Sequence, residues 1–289
     1  MKRSIYDQDH EDFRGSVKAF ITKHISPHLE RWDSEGMIDR HAWTAAGEAG
    51  LLGIAVPSQF GGGGIADFRF RMIQMEEFAL VGANSFNAGT SVQDDLVIPY
   101  LTDLGTHEQK QQWLPSLCDG TAIGALALTE PGAGSDLQGI RTTATRDGDG
   151  DDWILQGSKI FITNGIAADV VIVLAKTNPG SAVAGGMSLF LVPTNSPGFR
   201  RGRKLEKLGL RSNDTAELYF DDLRLPAASL LGNGGQGFVH VMQRLPRERM
   251  SIAATAVAAA MAAYEWTRTY CFERQAFGKA IGDFQATRF

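Results

Sequence analysis

The segment Leu126-Ala127-Leu128-Thr129-Glu130-Pro131-Gly132-Ala133-Gly134-Ser135-Asp136 decides how this chain is read. A β-prone apolar run passes directly into a loop of small residues and hydroxyls. Such a loop exposes backbone N–H groups at close approach, which suits a phosphate or a flat polar ring. Taken alone, Gly-Ala-Gly also fits an ordinary turn. A second half follows at Phe161-Ile162-Thr163-Asn164-Gly165, where an aromatic and a hydroxyl two apart on a strand point the same way.

Around this segment, short β-prone runs alternate with turns: residues 122–128, 153–163, 170–175 and 187–192. The turns are marked by Asp147-Gly148-Asp149-Gly150 and Gln156-Gly157, and the far edge by Leu223-Arg224-Leu225-Pro226. Before this β region, residues 11–117 follow helical spacing, as in Phe13, Val17, Phe20, Ile21 and Ile25. Gly105-Thr106-His107-Glu108-Gln109 predicts a capping box, with Thr106 capping the backbone and Gln109 reaching back. Residues 91–104 also read as helix. After Gly232-Asn233-Gly234-Gly235-Gln236-Gly237, taken as a flexible linker, the helical pattern resumes over 238–272. The final residues Phe284 to Phe289 carry no stop signal, so the last long helix has an apolar face that partner helices are expected to cover.

Composition narrows the function classes. With 43% hydrophobic and 21% charged residues in 289, the chain reads as globular, of about two domains. A net charge of -5 without a basic stripe argues against a nucleic-acid partner. Cys118 and Cys271 lie far apart with no metal-ligand spacing, which suggests neither a disulfide framework nor zinc. The opening Met1-Lys2-Arg3-Ser4-Ile5-Tyr6-Asp7 turns polar at once and lacks a signal-peptide apolar core, giving the expectation of an intracellular, cytoplasmic protein. Residues 250–264 are apolar but alanine-dominated and shorter than the ~20 residues that span a bilayer, so a buried helix is expected.

Three motif matches fail on context. Gly232, Gly234 and Gly237 spell GxGxxG, but Pro226 precedes and a long alanine-rich helix follows without a second strand, so no dinucleotide fold is read. Asp147, Asp149 and Asp151 imitate a calcium loop, yet its sixth position is Asp152 and its twelfth Ser158, which leaves a solvated hairpin tip. The histidines are scattered, and His24 and His28 lack the glutamate of a zinc protease motif, so no metal site is assigned.

At Thr129 to Asp136 and Phe161 to Gly165 the chain resembles the flavin-binding signatures of the acyl-CoA dehydrogenase family, in the same order and spacing. Further similar stretches are Gly105 to Lys110, Lys207-Leu208-Gly209-Leu210-Arg211, and the helix-turn motif Glu273-Arg274-Gln275-Ala276-Phe277-Gly278-Lys279. The resemblance implies an α+β fold: an N-terminal helical domain over 1–121, a central barrel-like β-sheet domain over 122–232, and a C-terminal part over 233–289. By the same resemblance, that last part is expected to be the first long helix of a four-helix bundle, cut short. It also implies an FAD whose flavin ring rests near Leu126, Leu128, Thr129 and Ser135 on one side and Phe161 and Thr163 on the other. Arg274, Phe277 and Gln285 are implied to reach the FAD of a neighbouring subunit in a homo-oligomer, a dimer or tetramer. A guanidinium at Arg274 matches phosphate in bidentate geometry.

Desaturating an acyl-CoA requires a carboxylate to take the proton alpha to the thioester while the beta hydride moves to the flavin N5. Leu245-Pro246-Arg247-Glu248-Arg249 resembles the base position of the long-chain branch, which makes Glu248 the candidate base. Helical spacing sets Glu248 beside Val241, Leu245 and Ile252, an apolar setting that raises a carboxyl pKa. Ser135 and Arg249 are the candidate substrate contacts. The implied activity is desaturation of a straight medium- to long-chain acyl-CoA, with an electron-transfer flavoprotein as acceptor. An oxidase or flavin monooxygenase on the same fold and a catalytically silent interaction module are the alternatives.

Overall fold

The structure, a computed structural model, describes residues 4–148, 150–178 and 186–289. The readings that rest on Met1, Lys2, Arg3 and Asp149 lie outside those residues. The first part is helical: α1 Gln8–Phe20, α2 Leu29–Glu35, α3 Arg40–Glu48, α4 Phe68–Leu80, α5 Asn84–Ser91, α6 Ile98–Leu104 and α7 His107–Cys118. The apolar spacing read from α1 onward buries Val17, Phe20, Ile21 and Ile25 against Trp32, Trp43, Phe78 and Phe86. The capping box at α7 forms as expected: Thr106 Oγ1 accepts from the Gln109 N–H at 3.2 Å, and Gln109 Oε1 accepts from the Thr106 N–H at 3.0 Å.

Between α5 and α6 the backbone runs as a π-helix over Val92–Val97. This wider turn delivers three consecutive polar side chains, Gln93, Asp94 and Asp95, into the interior. Gln93 uses both ends of its amide, donating to Leu117 O at 2.7 Å and accepting from the Gly124 N–H at 2.9 Å. It thereby ties the helical part to the first strand.

Among the described residues, the β region is one eight-stranded mixed sheet. Its strands are β1 Gly124–Ala127, β2 Thr143–Arg146, β3 Trp153–Thr163, β4 Val170–Lys176, β5 Met187–Pro193, β6 Phe199–Lys204, β7 Thr215–Leu225 and β8 Leu230–Leu231. The order is β6-β7-β3-β2-β4-β5-β8, with β1 pairing parallel to β4. The sheet curls around a core from strands that are not neighbours, as the edge-to-face contact of Trp153 on β3 with Phe190 on β5 shows, ring centroids 5.2 Å apart. The strongest apolar runs foretold β1, β3, β4 and β5. The strand β6, Phe-Arg-Arg-Gly-Arg-Lys, shows no apolar alternation because it is a largely exposed edge.

The Gly-rich segment after β8 is not a loose linker. The Gly235 N–H donates to Ser188 Oγ at 2.9 Å, and a Cβ on Gly237 would meet the Ser188 backbone at 2.8 Å. Glycine is needed there so that helix and strand can touch. From Gly237 a single helix, α8 (Gly237–Glu273), runs 37 residues, about 55 Å at 1.5 Å per residue. Its alanines Ala258 and Ala262 pack closely on Met75 and Ala79 of α4.

About two turns nearer the start of α8, a buried polar network crosses the same interface. Arg71 of α4 donates to both carboxylate oxygens of Asp95 at 3.1 and 3.2 Å, and Ser251 Oγ donates to Asp95 at 2.7 Å. Asp94 accepts from the Gly53 N–H at 2.9 Å, while its Oδ2 is buried with no hydrogen-bond partner. Burial pushes the Asp94 carboxyl up to about 6, against the pull of Arg71, whose Nη1 lies 3.7 Å away. The opposite face of α8 is open, with Ile252, Val257, Tyr264 and Tyr270 exposed.

Candidate active site

The loop after β1 is braced by an internal ion pair. Glu130 and Ala133 bond to each other through both backbone groups, at 2.9 and 3.1 Å, which closes the Glu-Pro-Gly-Ala turn. The Glu130 carboxylate accepts from the backbone N–H groups of Arg141 at 2.5 Å and Thr142 at 3.0 Å, so it holds the loop's return. Lys159 on β3 donates from Nζ to Glu130 Oε1 at 2.8 Å and to Leu128 O at 3.0 Å. Burial lowers the lysine to about 8 although Glu130 steadies its charge; at Glu130 burial is the largest single influence and raises the carboxyl, but Lys159 and the N–H groups of Thr142 and Arg141 together hold it below its usual range. Both groups are therefore charged near neutral pH.

The two halves read from sequence do come together. The Ile160 N–H donates to Thr129 O at 3.0 Å, which joins the loop to β3 directly. A bulge between Lys159 and Ile162 shifts the register of β3 against β7, and Phe161 takes the left-handed conformation, φ 62°. Simple alternation therefore breaks at this point. The bulge turns Ile162 inward and leaves Phe161 63% exposed, with half-buried Thr163 on the same outer side. Leu126, Leu128 and Thr129 are half-buried, Ser135 is exposed, and the N–H groups of Thr129, Gly134 and Ser135 have no acceptor among the described residues. An open shelf with a flat aromatic, apolar edges and free donors fits a flavin ring, which needs a stacking face and N–H partners for its polar edge.

Beside this shelf, Leu126 and Leu128 pack in the cluster that also holds Tyr100, Val241 and Leu245. One turn beyond Leu245, Glu248 is 8% exposed and accepts from the Tyr100 hydroxyl at 3.0 Å. Burial raises its carboxyl, opposed by the Tyr100 hydrogen bond and by the charges of Arg244 and Arg249. The apolar setting expected for Glu248 holds for Val241 and Leu245. Ile252 departs from it, being 70% exposed on the open side of α8. Arg249 is exposed and forms no hydrogen bond or ion pair with Glu248 among the described residues; Arg244 stands 5.2 Å from the Tyr100 ring centroid and pairs with Asp103 at 3.1 Å. Tyr100, Arg244, Glu130 and Lys159 were not legible as site residues, because each acts across elements distant in sequence. Only the inward parity of Lys159 with Trp153 and Leu155 on β3 signalled a buried cation.

Arg274, Phe277 and Gln285 do not join this site. Arg274 and Phe277 lie exposed past the far end of α8, Arg274 about 40 Å from Glu248 by helical rise, and Gln285 is exposed after Gly282, which returns to pack against Cys271 of α8. There the turn motif forms a small hairpin, β9 Gln275–Ala276 with β10 Lys279–Ala280, whose tip is Phe277 at φ 53° and Gly278 at φ 79°. Gln285 opens the short helix α9 Gln285–Arg288.

A helical part, a curled mixed sheet and a long helix that carries a buried carboxyl are the architecture of the acyl-CoA dehydrogenase family, and this chain belongs to it. Its N-terminal, middle and C-terminal domains match residues 7–121, 125–223 and 235–289. Among particular proteins, the chain is 47% identical over 287 residues to the mitochondrial long-chain specific acyl-CoA dehydrogenase of Sus scrofa, covering 99% of this chain and 66% of that enzyme. The crystal structure of acyl-CoA dehydrogenase from Geobacillus kaustophilus superposes with a TM-score of 0.95 at 43% identity, over 100% of this chain and 75% of that one. A glutaryl-CoA dehydrogenase from Mycobacterium smegmatis in complex with FADH2 gives 0.89 at 35%, over 98% and 70%. The chain thus spans just under two thirds of the length of the long-chain relative. No helix among the described residues is long and apolar enough to cross a membrane.

Proposed function

We propose that this protein is an FAD-dependent acyl-CoA dehydrogenase that introduces an alpha,beta double bond into a fatty acyl-CoA, with Glu248 as the base. The observation that carries the reading is the buried, raised carboxyl of Glu248, held by Tyr100 in the same cluster as the shelf residues Leu126 and Leu128. A raised pKa keeps the carboxylate basic enough to accept a proton near working pH. Bound FAD supplies the hydride acceptor. Leu126, Leu128, Thr129, Ser135, Phe161 and Thr163 hold the ring. Arg274, Phe277 and Gln285 serve the FAD of a second copy in a homo-oligomer, a reading supported by the length of α8 that separates Arg274 from Glu248. Ser135 and Arg249 contact the thioester substrate.

We take the domains as 1–121, 122–232 and 233–289, the acyl chain as straight and medium to long, the acceptor as an electron-transfer flavoprotein, and the location as the cytoplasm. The test is anaerobic titration of the FAD-loaded chain with acyl-CoA of graded length, followed by admission of air. Bleaching of the visible flavin band with slow recovery in air supports the dehydrogenase, and fast recovery would favour an oxidase. A protein that stays colourless with added FAD would overturn the reading in favour of a silent module.

A further inference from the structure

We propose that the buried pair Glu130 and Lys159 is the positioning device of the flavin shelf, setting the spacing between its two walls and through it the affinity for FAD. This rests on the FAD reading above. Lys159 stands two residues before Phe161, and its side chain is fully buried. From there its ammonium reaches the opposite wall at two points, Leu128 O and Glu130 Oε1. Glu130 spends its remaining capacity on the N–H groups of Arg141 and Thr142, where the loop returns to the sheet. One charged side chain from each wall therefore fixes the loop before, within and after the turn that carries Gly132 to Ser135.

Two further facts point to geometry rather than to stability. A buried ion pair is seldom worth more to the fold than an apolar pair of similar volume, so stability alone does not explain a lysine in a strand interior. An apolar pair, however, could not bond the Leu128 carbonyl or the two returning N–H groups. The second fact is the left-handed Phe161 in the bulge that begins at Lys159. A bulky residue keeps that conformation only where its surroundings over-determine it, and the bonds of Lys159 and Ile160 to the facing loop do so.

The test compares the full chain with Lys159→Met and with the double variant Glu130→Gln, Lys159→Met, in which no charge is left unpaired. FAD affinity is read by fluorescence titration, the flavin visible band by its vibronic resolution, and the fold by thermal unfolding without FAD. The double variant is expected to bind FAD at least about tenfold more weakly, a loss of ~1.4 kcal/mol, and to blur the band, while the FAD-free unfolding midpoint stays near wild type. Binding within about threefold of wild type with a sharp band would overturn the inference alone, since tenfold marks the smallest effect expected. Failure of both variants to fold would overturn it too, because the pair would then be holding the sheet. A wild-type chain that takes up no FAD would sink the functional reading first and this inference with it.

Discussion

Replacing Asp94 by asparagine should make the protein more stable at neutral pH, although it removes half of an ion pair. The Asp94 carboxyl is raised from 3.8 to about 6, chiefly by burial, so the folded state pays to ionise it. A folded pKa above the unfolded one means that the native state holds the extra proton between these values. The stability tied to that proton is present below about pH 4 and is lost as pH rises through about 6. A shift of roughly 2 units corresponds to about 3 kcal/mol at most, given ~1.4 kcal/mol per unit. Asparagine does not ionise, and its carbonyl still accepts from Gly53, while Arg71 keeps its two bonds to Asp95. Urea unfolding followed by tryptophan fluorescence should give Asp94→Asn a higher midpoint than wild type at about pH 7.5, with the gap closing towards about pH 4. A variant equal to or weaker than wild type at neutral pH would refute the reasoning. It would mean that Arg71, 3.7 Å from Asp94 Oδ2, outweighs the burial penalty.

Two predictions concern the base. Glu248→Gln preserves volume and one acceptor oxygen for Tyr100 but cannot take a proton, so stopped-flow reduction of bound FAD by acyl-CoA should slow by about 10²–10⁴-fold with FAD still bound. Reduction at near-wild-type rate would return the base to another residue. Tyr100→Phe removes the hydrogen bond that opposes burial at Glu248, so the carboxyl rises further. The acid limb of the pH dependence of flavin reduction should then move to higher pH, whereas an unmoved limb would show that Tyr100 does not act on the base.

What could be read from sequence was what neighbouring residues settle among themselves. The capping box of Thr106 and Gln109, the 3.6-residue spacing that buried Val17 and Phe20, and the length of α8 depend on contacts within a turn or two. The Leu126 to Asp136 loop and Phe161 to Gly165 were legible as motifs for the same reason. The expectation of a flexible Gly232 to Gly237 failed because Ser188, on β5, decides how closely that backbone is approached. Only the tertiary structure chose Tyr100 as the partner of Glu248, 148 positions away, and Lys159 as that of Glu130, 29 away. It alone gave Asp94 and Asp95 a buried π-helical turn within the helix read over residues 91–104. Local sequence fixes where a side chain sits along its element. Burial and charge compensation, which set the pKa of Glu248 and the grip of Lys159, come from elements that meet only when the chain has folded.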